Sequence, residues 1–159
     1  MDGSNTLPFT NPATGEQFGQ VAVATTEQVQ QAMQEMRLAS REWSQRPVKD
    51  RVRILGKFQA VMLDSMDEIS QAISRNTGKS RQDALVEVIM TIDLLQQSRR
   101  HAPAWLRRQG LPRGLYLFKS FYVERRPYGV VLVISPWNYP FYLAIPPVVA
   151  ALLAGNTVI

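Results

Sequence analysis

Residues 127–159 contain no charged side chain, and this uncharged stretch limits what the chain can fold into. A transmembrane helix needs about 20 consecutive apolar residues, but this stretch is interrupted by Pro136, Asn138, Pro140, Pro146 and Pro147. Prolines break ordinary helices, so the stretch is not expected to span a membrane. We expect it to be buried in a soluble fold. Because the chain stops at what resembles a buried strand, we expect the fold to continue past its last residue.

The order of patterns inside this stretch predicts the first βαβ unit of a parallel sheet. Residues 130–134 form a continuous apolar run, which is typical of a central parallel strand. Residues 141–154 predict an apolar helix that is kinked at Pro146 and Pro147 or begins there. Residues 157–159 then begin a second strand. A helical crossover between two parallel strands is the βαβ arrangement.

The composition excludes several kinds of site. The 159 residues include no cysteine and one histidine, His101. Disulfides, thiol nucleophiles and Cys/His zinc sites are therefore excluded, and no metal site is expected. His101 alone is expected to be a surface or helix-end residue. The opening residues MDGSNTLPFT have no basic region followed by an apolar run, so we predict no signal peptide and a cytoplasmic chain.

The first hundred residues predict a hairpin followed by four helices. Residues 7–24 predict the hairpin, because Asn11-Pro12-Ala13-Thr14-Gly15 has the chemistry of a turn. Apolar periodicity predicts helices at about residues 26–45, 48–63, 66–77 and 80–100. Thr25 with Gln28, and Ser65 with Glu68, are expected to form caps. Gly78 is expected to end the third helix.

The apolar faces of these helices are expected to form the core. The predicted core side chains of the first, second and fourth helices are Val29, Ala32, Met33, Met36, Ala39, Trp43; Val52, Leu55, Phe58, Met62; and Leu85, Val88, Ile89, Ile92, Leu95. The two methionines of the first helix are interpreted as packing residues rather than as ligands, because thioethers fill gaps in cores.

The loop after the strand at residues 130–134 is the candidate functional site. The sequence contains neither GxGxxG nor GxxxxGK[ST], and no carboxylate pair stands out. Ligands of open α/β sheets bind beyond the carboxyl ends of the strands. There the loop offers Ser135, Trp137 and Asn138, stiffened by prolines. An asparagine amide on a rigid loop can donate to an oxyanion. On pattern alone, the simpler interpretation is that the same residues form only a turn with local hydrogen bonds.

Five short motifs stand in an order that resembles the amino-terminal portion of the NAD(P)-dependent aldehyde dehydrogenase superfamily. They are NPATGE at residues 11–16, NTGK at 76–79, PYGVV at 127–131, PWNYP at 136–140 and AGNTV at 154–158. The combination of GVV, PWNYP and AGNTV is specific, whereas NPATGE and NTGK are weak signals. The resemblance extends from about Leu7 to Ile159.

This resemblance implies a fold and a division of the chain. The fold class is α/β, with a helical layer and an N-terminal β-hairpin plus the first βαβ of a Rossmann-like parallel sheet, truncated. Residues 1–114 would form the hairpin and helical layer. Residues 115–126 would be the strand segment of an oligomerisation arm, and residues 127–159 the incomplete start of the nucleotide-binding sheet. Members of this family are expected to be homo-dimers or homo-tetramers.

The resemblance also implies a reaction. These enzymes oxidise a small aldehyde to a carboxylic acid with NAD or NADP. A cysteine attacks the carbonyl, the thiohemiacetal passes hydride to the nicotinamide, and a glutamate helps water to release the acid. Asn138 matches the asparagine that helps to hold the oxyanion. The stretch that lines the cofactor site is matched by Ile134, Ser135, Pro136 and Trp137.

The departures from the family pattern lead to two hypotheses. The sequence has no cysteine, and the Lys-Pro-Ser-Glu cofactor motif, the pyrophosphate loop and the glutamate base would lie past Ile159. Since a thiohemiacetal needs a thiol, the chain alone is predicted to be inactive, as a fragment of a complete enzyme. The alternative is a non-catalytic interaction module or truncated relic. It would pair with a full-length relative through the arm and the strand edge at Val158 and Ile159.

Basic side chains cluster in the second half of the chain. The formal net charge is +5, and the surplus lies in residues 81–159, where Arg99-Arg100 and Arg107-Arg108 form two pairs. Such pairs can form a nucleic-acid patch or an ordinary solvated face. Because no nucleic-acid motif accompanies them, no nucleic-acid partner is expected.

Overall fold

The computed structural model describes residues 6–159, which form a mixed α/β fold of five helices and three two-stranded sheets. Residues 1–5 lie outside the described residues. Two predictions involve these residues: the start of the 1–114 unit, and the expectation that the opening residues MDGSNTLPFT do not form a signal peptide. Among the helices described, none is long and apolar enough to cross a membrane.

The predicted hairpin is confirmed. Strand β1 (Thr6–Thr10) pairs antiparallel with β2 (Gln17–Ala22). In the turn between them, the Asn11 side-chain oxygen accepts a hydrogen bond from the Ala13 N–H at 2.9 Å. Gly15 closes the turn at φ 74°, a left-handed conformation that glycine adopts without a steric cost. The hairpin therefore follows from local turn chemistry.

Four helices follow in the predicted order: α1 (Thr26–Gln45), α2 (Val48–Asp64), α3 (Met66–Thr77) and α4 (Arg81–Trp105). The cap of α1 is confirmed, since Thr25 accepts from the Gln28 N–H at 3.3 Å and Gln28 accepts from the Thr25 N–H at 2.9 Å. Gly78 ends α3 at φ 72°, as predicted. The predicted cap by Ser65 and Glu68 is wrong. Ser65 alone separates α2 from α3, and its φ of −97° and ψ of 12° are not the extended conformation that capping requires.

The predicted βαβ unit is present but smaller than expected. Strand β5 (Val130–Val131) pairs parallel with β6 (Thr157–Val158), and helix α5 (Ile145–Ala154) connects them. The predicted strand at residues 130–134 is wrong in length, because β5 ends at Val131. The expected burial is also wrong for Leu132 and Ile134, which are exposed. Only one partner strand lies beside β5 in the described residues, so little covers the remainder of the apolar run. Pro146 and Pro147 lie in the first turn of α5, where proline is tolerated.

Helix α4 lies against α2, α3 and α5, and their shared interface forms the core. Predicted core residues that are buried include Leu55, Met62, Val88, Ile92 and Leu95. Four predicted core residues are wrong, because Val29, Ala39, Phe58 and Ile89 are exposed. Helix α1 contains no fully buried residue, since it packs at the edge of the structure against β5 and β6. Its methionines, Met33 and Met36, are half-buried.

Residues 109–123 form a hairpin rather than one long strand. Strand β3 (Gln109–Leu111) pairs antiparallel with β4 (Phe121–Val123). The predicted strand at residues 115–126 is therefore wrong for the connection at 115–120, where turns replace it. In that connection Leu115 is 97% exposed and Phe118 is fully exposed. A strand needs a hydrogen-bonded neighbour, and none lies beside this connection within residues 6–159.

Of the paired arginines, Arg99 is partly buried, and the others are exposed. Arg99 donates to the Val52 carbonyl at 3.1 Å and to the Gln59 side chain, so it joins α4 to α2. Arg108 lies over the Tyr122 ring of β4. His101 is exposed near the end of α4, as predicted, and stacks on Trp105 with ring centres 5.4 Å apart. Packing inside the chain therefore accounts for one arginine of each pair.

Arg51 is a buried cation without a carboxylate partner among the described residues. Its guanidinium donates to the Leu153 carbonyl at 2.9 Å and to the Arg46 carbonyl at 2.5 Å. These carbonyls lie at the carboxyl ends of α5 and α1, where the helix dipole places partial negative charge. Burial lowers the pKa of Arg51, but arginine remains protonated in proteins. Arg51 therefore ties the ends of two helices that hold the βαβ unit.

We expect Arg51→Lys to lower the free energy of unfolding of the native polypeptide by about 1–3 kcal/mol. Lysine keeps the charge but cannot reach two carbonyls with the fixed fork of a guanidinium. Urea unfolding would measure the change. Arg53→Lys is the matched control, because Arg53 is exposed on the same helix and, among residues 6–159, forms an ion pair only with Asp50, at 3.0 Å. Its expected cost is below about 0.5 kcal/mol. Equal costs for the two variants would contradict the helix-end role.

Candidate active site

The predicted site residues lie in one loop at the carboxyl end of β5. This Asn138 loop, residues 132–144, connects β5 to α5. Ile134 and Trp137 are apolar, yet they are 84% and 82% exposed. Ser135, Pro136 and Asn138 are exposed as well. The structure therefore brings all five predicted residues together on an open surface beyond a parallel strand.

A buried glutamate anchors this loop from below. The Glu87 side chain in α4 is 0% exposed. One of its oxygens accepts hydrogen bonds from the backbone N–H groups of Phe141 (2.9 Å) and Tyr142 (3.1 Å). Its other oxygen lies 2.7 Å from the ammonium of Lys79. The carboxylate thus satisfies two loop N–H groups and one cation at the same time.

Lys79 completes the anchor on the other side. Its side chain is 17% exposed, and its ammonium donates to the Asn138 carbonyl at 2.9 Å. The ammonium also lies 4.1 Å from the centre of the Tyr139 ring, within the range of a cation–π interaction. The Lys79–Glu87 pair therefore fixes the backbone at Asn138 and at residues 141 and 142. Within residues 6–159 the Asn138 amide makes no side-chain hydrogen bond, so it stays available to a ligand.

Sequence reasoning missed Glu87, although a signal was present. Ala84, Val88, Thr91 and Leu95 recur at helical spacing, and Glu87 falls on the same face of α4. A carboxylate on a core-facing stripe needs a partner, because burying an unpaired charge is costly. That requirement predicts a cation and N–H donors opposite Glu87. In the sequence, Lys79 stands out only as the last residue of the NTGK motif.

The two weaker motifs, NPATGE and NTGK, contact each other in the folded chain. A Cβ atom on Gly78 would lie 3.0 Å from Pro12 of the hairpin turn, so the NPATGE turn packs closely against the end of NTGK. Glycine is needed at residue 78 both for its positive φ and for this close approach. The hairpin therefore supports the segment that carries Lys79.

The motifs PYGVV and AGNTV also meet. The buried Asn156 side chain accepts from the Gly129 N–H at 3.0 Å and donates to the Ala151 carbonyl at 3.1 Å. Thr157 donates its hydroxyl to the Met36 carbonyl at 2.9 Å. These bonds hold the end of α5, the start of β5 and helix α1 together. They set the position from which the Asn138 loop begins.

Two cavities flank the Asn138 loop. The first has a volume of about 420 Å³, and Asp83, Val86 and Met90 of α4 face Tyr139, Tyr142 and Leu143 across it. Lys79 and Glu87 complete its lining. The second, of about 410 Å³, lies between α3 and the loop and includes Trp137, Pro140 and Phe141. We call the first cavity the Tyr139 groove. The loop thus separates two spaces, each large enough for a small ligand.

Known proteins are similar to this chain in sequence and in fold. The profile of the aldehyde dehydrogenase family matches residues 1–159. The chain is 39% identical over 157 residues to a 4,4'-diapolycopene aldehyde oxidase of a Methylomonas species, covering 97% of this chain and 30% of that protein. It is 35% identical over 150 residues to the N-succinylglutamate 5-semialdehyde dehydrogenase of Salmonella typhimurium, covering 94% of this chain and 30% of that protein.

A solved structure agrees in its fold. The NADP-dependent glyceraldehyde-3-phosphate dehydrogenase from Bacillus halodurans C-125 superposes with a TM-score of 0.89 at 30% identity, covering 99% of this chain and 34% of that chain. The chain spans about 30% of the length of the curated relatives described above. Since the family profile covers every residue and the fold agrees, this chain belongs to the aldehyde dehydrogenase family.

Proposed function

We propose that this chain supplies the N-terminal helical layer and the first βαβ unit of the Rossmann-like sheet of an NAD(P)-dependent aldehyde dehydrogenase. The complete enzyme would oxidise an aldehyde to a carboxylic acid. The observation that carries this proposal is the anchored Asn138 loop. Lys79 and Glu87 hold its backbone at the end of a parallel strand, while the Asn138 amide remains unpartnered within residues 6–159.

Asn138 is proposed to stabilise the oxyanion that forms when a nucleophile adds to the aldehyde carbonyl. An amide N–H whose backbone is already fixed needs little reorganisation when negative charge develops, and this preorganisation favours the transition state. The sequence contains no cysteine, so the attacking thiol would not come from residues 1–159. The glutamate base is likewise proposed to lie elsewhere in the enzyme. We therefore propose that these residues alone do not oxidise aldehydes.

The cofactor is proposed to bind along Ile134, Ser135, Pro136 and Trp137. The exposure of two large apolar side chains at a strand end fits a ligand that covers them. The solved relative was obtained as a complex with NADP. When bound, the nicotinamide would accept the hydride from the aldehyde carbon. The loop residues of this chain would hold the cofactor next to Asn138 and exclude water from that surface.

The exposed connection in the 109–123 hairpin supports a subunit contact. Leu115 and Phe118 are almost entirely exposed although both are apolar. Contact with a second subunit would bury them and remove their apolar surface from water. We propose that this arm joins copies into a homo-dimer or homo-tetramer. A cytoplasmic location is part of the same proposal and rests on the absence of cysteine.

The exposed arm also favours a second candidate function. A non-catalytic module or relic could use Leu115 and Phe118 to pair with a full-length relative. The two candidates differ in what must be present besides residues 1–159, which have a mass of 18.0 kDa. The first requires that a cysteine and the remaining cofactor site belong to the same polypeptide. The second requires only a partner chain.

The intact mass of the native polypeptide, combined with an activity assay, tests the proposal. The polypeptide would be purified from its source cells, weighed by mass spectrometry and assayed for NAD(P)H formation with hexanal. A mass well above 18.0 kDa together with activity supports the enzyme. A mass of 18.0 kDa without activity overturns it and supports the pairing module, whose partner would then copurify.

A further inference from the structure

The turn of the N-terminal hairpin lies against the end of α3, next to the lysine that holds the Asn138 loop. A Cβ atom on Gly78 would lie 3.0 Å from a side-chain carbon of Pro12 and 3.2 Å from the Ala13 backbone nitrogen. The turn and residue 78 are therefore packed without a gap. Because residues 78 and 79 share a planar peptide bond, the position of the turn restricts where the backbone of Lys79 can lie.

A second contact joins the hairpin to α3. The Arg75 guanidinium lies over the Phe18 ring of β2, 4.8 Å from the ring centre. That distance is within the range of a cation–π interaction. Arg75 belongs to the last turn of α3, so the hairpin touches this helix end at two separate places. Two contacts restrict rotation of the hairpin about either one.

The backbone of Lys79 is also held by α3 itself. The Ser74 hydroxyl donates to the Lys79 carbonyl at 2.7 Å, and the Ser74 carbonyl accepts from the Gly78 N–H at 2.9 Å. These two hydrogen bonds fix the orientation of the peptide groups on both sides of Lys79. The hairpin turn and Ser74 thus determine the point from which the Lys79 side chain extends.

The Lys79 side chain extends this restraint to the proposed oxyanion residue. Its ammonium has three partners at once: the Glu87 carboxylate at 2.7 Å, the Asn138 carbonyl at 2.9 Å and the Tyr139 ring at 4.1 Å from the ring centre. A shift of the Lys79 backbone would therefore lengthen at least one of these contacts. The hairpin turn, the end of α3, Lys79 and the Asn138 backbone form one continuous series of contacts.

We propose that the hairpin turn positions the Asn138 amide through Lys79, and that Pro12 and Ser74 are positioning residues for aldehyde oxidation. Neither residue touches the reacting atoms, because each acts on the backbone next to Lys79. This inference rests on the proposed function, since it takes Asn138 as the residue that stabilises the oxyanion. It goes further by giving an exposed hairpin a part in setting the rate.

The activity test compares two positioning variants with matched controls in the native polypeptide. Pro12→Ala and Ser74→Ala are each expected to lower kcat for hexanal about fivefold and to keep KM within about twofold, because a displaced group that acts only in the transition state lowers kcat. Pro8→Ala is the first control, because Pro8 is an exposed proline of the same hairpin. Ser40→Ala is the second, because the Ser40 hydroxyl donates to the Arg37 carbonyl at 2.9 Å within α1. Both controls should keep kcat within about twofold of the parent value.

A double-mutant cycle distinguishes positioning from a general loss of stability. Pro12→Ala is added to the double variant Lys79→Met, Glu87→Leu, which has no ammonium left to position. The effect of Pro12→Ala on kcat should then shrink from about fivefold to less than about twofold. Equal fold-losses in both backgrounds, or a lower unfolding temperature with kcat unchanged, overturn the inference and leave the proposed function intact.

The ring current of Tyr139 gives a readout that does not depend on activity. The Lys79 methylene next to the ammonium is expected to resonate upfield of an exposed lysine, because the ammonium lies over the Tyr139 ring. Lys79→Arg assigns the signal in the NMR spectrum of lysine-labelled polypeptide, and Tyr139→Leu gives the unshifted reference. A smaller upfield shift in Pro12→Ala and Ser74→Ala, but not in Pro8→Ala, supports the inference, and an unchanged shift overturns it. A parent polypeptide that oxidises no aldehyde overturns the proposed function, and the NMR shift alone then decides whether the turn positions Lys79.

Discussion

Asn138→Ala is expected to lower kcat for aldehyde oxidation by the native polypeptide about 10²–10³-fold, with a much smaller change in KM. The Asn138 amide makes no side-chain hydrogen bond within residues 6–159, so its removal leaves no buried group unpaired. The lost interaction is one that strengthens only as charge develops on the carbonyl oxygen, so the effect falls on kcat. Steady-state NAD(P)H formation at saturating cofactor would measure both constants.

The size of the loss in kcat shows whether Asn138 is an oxyanion donor or only a residue of a structural turn. Gln97→Ala is the matched control, because Gln97 is an exposed amide on α4 that bonds only to Asp93 in the described residues, at 2.7 Å. Its kcat should remain within about twofold of the parent value. If Asn138→Ala retained kcat but lowered the unfolding temperature, Asn138 would be a turn residue. The catalytic proposal would then be wrong.

Local sequence signals predicted most of the helical layer because their partners are only a few residues away. The capping box of Thr25 and Gln28 and the left-handed Gly78 each depend on contacts within one helix end. Backbone geometry there is decided by side chains within about four residues. The bounds of α1 and the end of α3 could therefore be predicted without knowledge of the fold.

Tertiary contacts account for what the sequence could not predict. Ile89 has the helical spacing of a core residue, but the packed side of α4 also includes Glu87 and Thr91, and Ile89 faces outward. The apolar run at residues 130–134 looks like a central strand, yet only β6 lies beside β5 in the described residues. Arg51 has the local sequence context of an ordinary helix-surface cation, and only its partners in two other segments show that it is buried. Periodicity describes one face of a segment, and packing decides which face is covered.

At the candidate site, too, local features could be predicted from the sequence and long-range contacts could not. PWNYP predicted where the loop lies, because a strand end and prolines are local features. What holds the loop could not be predicted, since Glu87 and Phe141 are separated by 54 residues along the chain. The groove likewise needs α4 and the loop to be adjacent, which only the folded chain establishes.

Glu87→Ala is expected to lower the free energy of unfolding of the native polypeptide by about 3–5 kcal/mol, the usual cost of removing one partner of a buried ion pair. The variant leaves the Lys79 ammonium without its carboxylate partner and the N–H groups of Phe141 and Tyr142 without their acceptor. Chemical denaturation would measure the loss. Glu42→Ala provides the control, because Glu42 pairs with Arg46 at an exposed position and its loss should cost less than about 1 kcal/mol.

Two further measurements distinguish anchoring of the loop from a general loss of stability. Amide hydrogen exchange in Glu87→Ala should accelerate at Phe141 and Tyr142 more than at core positions of α2, since only these loop groups lose their acceptor directly. Combining Glu87→Leu with Lys79→Met removes both charges, so the double variant should cost less than the sum of the single variants. Additive costs, or exchange that rises uniformly, would contradict the anchoring role. Because the anchor also bonds the Asn138 carbonyl, we expect Glu87→Ala to lower kcat at temperatures where the polypeptide is still folded.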